Sequence, residues 1–182
     1  MTIEFNKYKK FGAYHWKWYE QKPRYKAHVD RVRDWIKERP CLDIGAGDGL
    51  MCKIVGMVGV DNSIDAINVA KRRGVDIVLG DAYKLPFKDE EFDACYIGDT
   101  LEHLEFPLKA LIEARRVIKN YAYVSGPIRG GVLEAYEYDD SKWSADEVQR
   151  RVEEAGFKLE REVELLELAR RRGTFYAKFK KV

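Results

Sequence analysis

The stretch Cys41-Leu42-Asp43-Ile44-Gly45-Ala46-Gly47-Asp48-Gly49 has residue types and a spacing that can do chemistry. A short apolar run meets an acid and then a loop with glycine at alternate positions. Glycine lets a backbone turn sharply and lets a ligand come close to it. A strand that hands over to a helix in this way can seat a nucleotide-like cofactor. The dinucleotide fingerprint G-x-G-x-x-G would place its last glycine at position 50, which is Leu50. The pattern present is D-x-G-x-G-x-G. A glycine-rich turn of an α/β protein with no such ligand would read the same way.

Further acids recur at the ends of apolar runs. Gly59-Val60-Asp61-Asn62-Ser63 puts Asp61 where a carboxylate can accept two hydrogen bonds from vicinal ribose hydroxyls, or simply cap a helix. Gly80-Asp81-Ala82 repeats the arrangement, and Asp81 can accept from an adenine exocyclic amine. Leu85-Pro86-Phe87 and Phe92-Asp93 complete the string G-D-A-x-x-L-P-F-x-D-x-x-F-D. Then come Gly98-Asp99-Thr100-Leu101-Glu102-His103-Leu104, Arg115-Arg116-Val117-Ile118-Lys119, and Trp143-Ser144 with Glu154-Ala155-Gly156-Phe157.

Taken in order, from about Arg39 to Phe157, these strings resemble the class I S-adenosylmethionine-dependent methyltransferases, and within them the UbiE/type-11 group. The resemblance implies a Rossmann-like domain and S-adenosyl-L-methionine as methyl donor. It implies that Asp43, Gly45, Ala46 and Gly47 meet the methionine portion, and that Asp61 and Asn62 meet the ribose and adenine edge. Asp81 and Ala82 would meet the adenine, and Asp99 would stand at the site mouth. A nicotinamide-dependent oxidoreductase and a non-catalytic partner subunit that keeps the fold are the rival readings. Leu50 speaks against the first and the intact motifs against the second.

His103 is the candidate catalytic residue, because an imidazole titrates near neutral pH and can take a proton from an acceptor. A structural histidine at a helix start is the alternative. Glu102 with His103 could be half of a metal site, but no further ligands follow in order, so no metal is expected. His15 and His28 have weaker claims. His15 lies in an aromatic group, Tyr14, Trp16, Trp18 and Tyr19, that could lid the cofactor. No N/D-P-P-Y/F string follows the fourth strand, which argues against amino-group methylation of nucleobases. The expected acceptor is a small molecule or a side chain, met by the N-terminal aromatic segment and by residues 126–143 with Tyr136, Tyr138, Asp139 and Asp140.

The elements that must position these residues alternate. Strands are predicted over Cys41–Ile44, Met57–Val60, Ile77–Leu79, Phe92–Ile97 and Tyr121–Val124, and helices over Ser63–Arg73 and Pro107–Ile118. Ser63 and Ser144 are predicted N-caps, and Gly74 and Gly156 predicted helix stops. A helix from Pro23 to about Arg39 buries Val29, Val32, Trp35 and Ile36. Between Gly49 and Met57 there is room for only a turn or two of helix. Leu159–Leu166 and Thr174–Phe179 read as a closing hairpin around Arg170–Gly173. The expected fold is therefore α/β: a Rossmann-like, mostly parallel sheet with helices on both faces and a C-terminal antiparallel β-hairpin. It forms one domain over 1–182, with 1–39 as a helical lid segment and 40–182 as the core.

Composition agrees with one globular domain: hydrophobic residues make up 46% and charged residues 35% of the chain. The net charge of +2, from 33 basic and 31 acidic residues, gives no reason to expect a nucleic-acid footprint. The Lys-, Arg- and Glu-rich content suits a heat-adapted protein. Three cysteines without a C-x-x-C pair, and no apolar run of membrane-spanning length, suit a reducing cytoplasmic setting without a membrane partner. Oligomeric state is not legible.

Overall fold

The computed structural model describes residues 7–129, 132–133, 144–161, 166–168 and 172–182. Three helices lead the chain: α1 (Lys7–Phe11), α2 (Tyr14–Gln21) and α3 (Pro23–Trp35). Pro23 opens α3, where its missing N–H costs nothing. The helix ends four residues short of the predicted end, with Ile36 as its C-cap. Strands β1 (Cys41–Ile44), β2 (Val58–Asp61), β3 (Ile77–Leu79), β4 (Phe92–Gly98) and β5 (Ile118–Arg129) then alternate with helices α4 (Ile64–Arg72) and α5 (Pro107–Val117). After them come β6 (Val132–Leu133), α6 (Ala145–Glu154), β7 (Phe157–Arg161), β8 (Leu166–Leu168) and β9 (Arg172–Lys181).

The main sheet runs β3-β2-β1-β4-β5-β9-β7. Pairings from β3 through β5 are parallel, and β9 inserts antiparallel between β5 and β7. The predicted closing hairpin is present, and both β7 and β8 lie against β9. The order reverses between β1 and β4. That switch point opens a crevice beyond the carboxyl ends of the two strands. The short link after the glycine loop is a π-helical turn over Cys52–Gly56, closed by Met57 N–H donating to the Cys52 carbonyl at 3.1 Å. It brings the chain back into β2 within a few residues.

Both predicted caps form. Ser63 Oγ accepts from Ala66 N–H, and Ser144 Oγ accepts from Glu147 N–H, each at 3.2 Å. Strand β5 is much longer than predicted. Lys119 and Asn120 are exposed and read as loop, and Gly126 and Pro127 read as breakers. Between the pair Gly98↔Ser125 and the pairing of Ile128 with Leu133 of β6, however, β5 has no strand partner on that side among the described residues, and Pro127 is tolerated there.

Alternate side chains fill two cores, one on each face. Leu42, Ile44, Cys95, Ile97, Ala122, Val124 and Phe175 pack with Leu111 of α5 and Val148 and Val152 of α6. Cys41, Ala94, Tyr96, Tyr123 and Tyr176 pack with Val32 and Ile36 of α3 and Ala70 of α4. Asp43 alternates onto this second face. Among the described residues no helix is long and apolar enough to cross a membrane.

Leu111 is fully buried in the first core. Leu111→Ala is expected to lower unfolding free energy by about 2–5 kcal/mol. Urea denaturation measures this, and a loss under about 1 kcal/mol would mean that the core closes over the gap.

Candidate functional site

The glycine loop is pinned to β2. Gly45 and Ala46 both donate their N–H to the Val60 carbonyl, at 2.9 and 3.0 Å. Gly47 N–H donates to Asp61 Oδ2 and Ser63 N–H to Asp61 Oδ1, each at 2.8 Å. Burial pushes the Asp61 carboxyl up, against the amide hydrogen bonds that pull it down, and burial wins. Gly45 and Gly47 have φ of 82° and 56°, a region costly for other residues. A Cβ at Gly47 would lie 2.1 Å from Tyr8 Oη, and one at Gly45 2.4 Å from Thr100 Oγ1. Tyr8 and Thr100 thus pack directly over the loop backbone and leave no room for a side chain at either glycine.

Beside it lies a cavity of about 60 Å³, lined by Gly45, Val60, Asp61, Asn62, Ala82, Thr100 and Leu104 among others. Of the predicted cofactor residues, Gly45, Asp61, Asn62 and Ala82 converge there. Gly47 is joined to them through Asp61. Ala46 is buried beneath the loop in the second core. Asp81 is exposed next to the cavity, where its Oδ1 accepts from Tyr83 N–H at 2.9 Å.

Asp43 is buried under the loop and does not line this cavity. Burial raises its carboxyl to about 7, opposed by a hydrogen bond from the Cys52 thiol at 3.5 Å and reinforced by the nearby Asp61. A buried acid of this kind is poised for a cation.

A second, larger cavity of about 680 Å³ opens beside the loop, between α2, α3, the end of β4 and β9. Its lining includes Trp18, Pro23, Tyr25, His28, Asp99 and Thr174. The aromatic rings run in a chain. Tyr14 meets His15 at 4.1 Å, His15 stacks on Tyr25 at 5.8 Å, and Tyr25 meets His28 at 5.8 Å. His28 Nδ1 lies 2.5 Å from Tyr176 Oη. Asp99 follows β4 directly with φ of 49°, unusual for a residue with a side chain, and its N–H donates to the Ser125 carbonyl at 3.0 Å.

His103 sits in a 3-10 turn over Leu101–His103 and is not among the residues lining either cavity. Its neighbour Glu102 is buried, and burial together with Asp99 raises its carboxyl well above the usual range. Among the described residues no group of three or more His, Cys, Asp or Glu is arranged to hold a metal ion. Residues 130–131 and 134–143, with Tyr136, Tyr138, Asp139 and Asp140, lie outside the described residues.

One residue of the loop does work that its sequence position did not announce. Asp48 is fully buried and ties the N-terminal segment down. Its Oδ2 accepts from His15 N–H at 3.1 Å, its Oδ1 faces His15 Nδ1 at 3.2 Å, and its carbonyl accepts from Trp16 Nε1–H at 2.9 Å. His15 is therefore a tether between α2 and the loop.

A family model described as a methyltransferase domain matches residues 42–125, which hold the loop, Asp61, Asp81 and Asp99. An uncharacterized protein of Methanocaldococcus jannaschii is 32% identical over 171 residues, covering 84% of this chain and 82% of that protein. Demethylmenaquinone methyltransferase of Renibacterium salmoninarum is 39% identical over 85 residues, which is 43% of this chain and 36% of that enzyme. A crystal structure from Thermotoga maritima, described as a S-adenosylmethionine-dependent methyltransferase and possible histamine N-methyltransferase, has the same fold. Its TM-score is 0.74 at 24% identity, covering 96% of this chain and 97% of that one. The chain belongs to the class I S-adenosylmethionine-dependent methyltransferases, in the type-11 group, and S-adenosyl-L-methionine is its methyl donor.

Asp48→Ala would leave the partly buried His15 N–H and Nδ1 without their carboxylate partner, at a cost of about 1–3 kcal/mol in all. Hydrogen exchange over residues 7–21 is expected to speed up while the amides of β1 and β4 keep their protection. Equal protection of α2 in the variant would show that aromatic packing alone holds the segment.

Proposed function

We propose that this methyltransferase acts on a small nucleophile, either a free molecule or an exposed side chain, seated in the aromatic chamber beside the glycine loop. One observation carries the reading. The consecutive residues Asp99 and Thr100 line one cavity each, so the chambers meet at the end of β4. A donor with its nucleoside end toward Asp61 and its sulfonium reaching Asp99 and Thr100 would there face an acceptor in the second. The description of the Thermotoga neighbour as a possible histamine N-methyltransferase supports an acceptor of this size.

The residues fit the donor. Tyr8 lies over Gly47 and Thr100 over Gly45, so a methionine portion seated on the loop backbone would displace these two side chains, and a side chain at either glycine would clash with them. Asp61 keeps lone pairs for ribose hydroxyls, since two amide bonds do not exhaust a carboxylate. Val60, Ala82 and Leu104 offer an apolar berth for adenine, with Asn62 and Asp81 at its polar edge. Asp43 would serve the methionine ammonium. When bound, the donor supplies a methyl group on a cationic sulfur that is already activated for displacement. The protein's part is then alignment and exclusion of water. Residues 7–21, tethered through Asp48, would form the lid, with Tyr8 as its contact to the loop.

S-adenosylmethionine and S-adenosylhomocysteine are expected to bind and raise the melting temperature, by about 2.7 kcal/mol of stability at a hundredfold excess over Kd. NADH is not. Asp61→Ala is expected to cost about 1.5–3 kcal/mol of that affinity. Unchanged affinity in a folded variant would reduce Asp61 to a cap. A tritium-transfer screen of small amines, phenols and unmodified transfer RNA then tests the acceptor class. Methylation of the RNA alone would overturn the small-acceptor reading.

The raised carboxyl of Asp43 sets a pH dependence. If the ammonium holds Asp43 ionised, binding below pH about 7 must expel a proton. Affinity should then fall by up to about tenfold per pH unit below that point. In the apo protein the sign is opposite. A carboxyl raised on folding favours the folded state at low pH and loses that contribution as pH rises through about 7. Asp43→Asn should therefore melt higher than wild type at pH 8 while binding the donor more weakly. Titration calorimetry at pH 6 and 8 checks the first, and thermal melts check the second. A pH-independent Kd would remove Asp43 from the donor site.

A further inference from the structure

We propose that His28, oriented by Tyr176, is the general base of the reaction, so that the acceptor carries a proton on its attacking oxygen or nitrogen. This rests on the acceptor occupying the aromatic chamber. His28 projects from α3 into that chamber, and its ring has one nitrogen committed. Nδ1 meets Tyr176 Oη at 2.5 Å across 148 residues of sequence. Nε2 has no hydrogen-bond partner among the described residues, and the chamber is what lies before the ring. A base must be within reach of the proton that it takes and must be neutral before it takes it. When Nδ1–H donates to Tyr176 Oη, the lone pair is on Nε2.

The surroundings suit a neutral imidazole that can carry a proton briefly. Burial lowers its basicity, and His15 from α2 and Arg31 from α3 lower it further. Asp99, across the chamber at the end of β4, acts the other way and would stabilise the imidazolium. Tyr25 meets the ring from α3 and Tyr176 from β9, while Lys22 and Arg24 stand at the chamber wall. Asp99 is thus the one carboxylate among the described residues lining this chamber.

In the step itself, the acceptor X–H gives its proton to His28 Nε2 as the X–CH3 bond forms. The carbon–sulfur bond breaks with its electron pair staying on sulfur. The products are methylated acceptor, the neutral thioether and an imidazolium, which returns its proton to solvent. His103 has no part in this scheme.

The test needs no known acceptor at first. The chain has three histidines, so single substitutions assign each signal in long-range ¹H–¹⁵N spectra of protein saturated with S-adenosylhomocysteine. His28 is expected as the Nδ1–H tautomer at pH 7.5, titrating below the ordinary histidine value of about 6.5. Tyr176→Phe should shift it toward the Nε2–H form. A wild-type Nε2–H tautomer, or an imidazolium at pH 7.5, would overturn the proposal, since neither has a lone pair for the acceptor. With an acceptor from the screen, His28→Ala should lower kcat by about 10²–10⁴-fold while donor Kd stays within about twofold. Added imidazole should restore part of the rate. Full kcat in His28→Ala also overturns it. If instead Trp18→Ala and Tyr25→Ala leave the acceptor KM unmoved, the chamber reading fails, and the tautomer measurement still stands apart from that failure.

Discussion

The Asp61 carboxylate is the tie on which the rest of the site depends. It stands at the end of β2, and its two oxygens bind the backbone on either side of the crevice, Gly47 in the loop and Ser63 at the start of α4. Parallel pairing of Ile44 with Val60 sets the height at which β1 releases the chain. The Val60 carbonyl then holds the first two amides of the loop, and Asp61 holds the third, that of Gly47. An ion taken out of water at this cost needs several donors around it. The backbone amides provide them only when the loop has its left-handed turns. Loop geometry and carboxylate charge are mutually required.

Beyond that tie, the protein divides labour between the middle of the sheet and its outlying elements. Strands β1, β2 and β3 present short polar ends to one cavity. The larger chamber takes its walls from α2, α3 and β9, with Asp99 as the contribution of β4. Asp99 holds an uncommon backbone conformation there. Such conformations persist where neighbours over-determine them, and here the Ser125 carbonyl holds Asp99 N–H while Thr100 Oγ1 donates to the Gly98 carbonyl at 2.9 Å. A rigid turn between two chambers keeps their separation constant, which is what alignment for displacement requires.

The parts that were legible from sequence are those set by near neighbours. The glycine loop, the strands of the parallel half and the caps at Ser63 and Ser144 all follow from residues within a turn or two of each other. The length of β5 was hidden, because Gly126 and Pro127 signal a break that the antiparallel partner β9 overrides. His28 was hidden for a related reason. It is one histidine on an amphipathic helix, and its meaning comes from Tyr176, 148 residues away. Tyr8 over Gly47 is equally non-local. Asp48 had a trace, an acid inside a loop that otherwise needs only small residues, but its partners His15 and Trp16 lie more than thirty residues upstream.

The position of β9 has a consequence for how the protein comes into being on the ribosome. This strand is the last element of the described chain, yet it lies between β5 and β7 and supplies Thr174 and Tyr176 beside residues of α2 and α3. Growing chains collapse from their leading end. The loop and the first three strands can therefore settle while β9 is still unmade, leaving β5 with an open edge and His28 with no hydroxyl to face. Such an edge invites wrong pairing until it is covered. The nascent protein thus settles the glycine loop before the larger chamber is closed, and under the proposed function a polypeptide lacking β9 would have no wall against which an acceptor could sit.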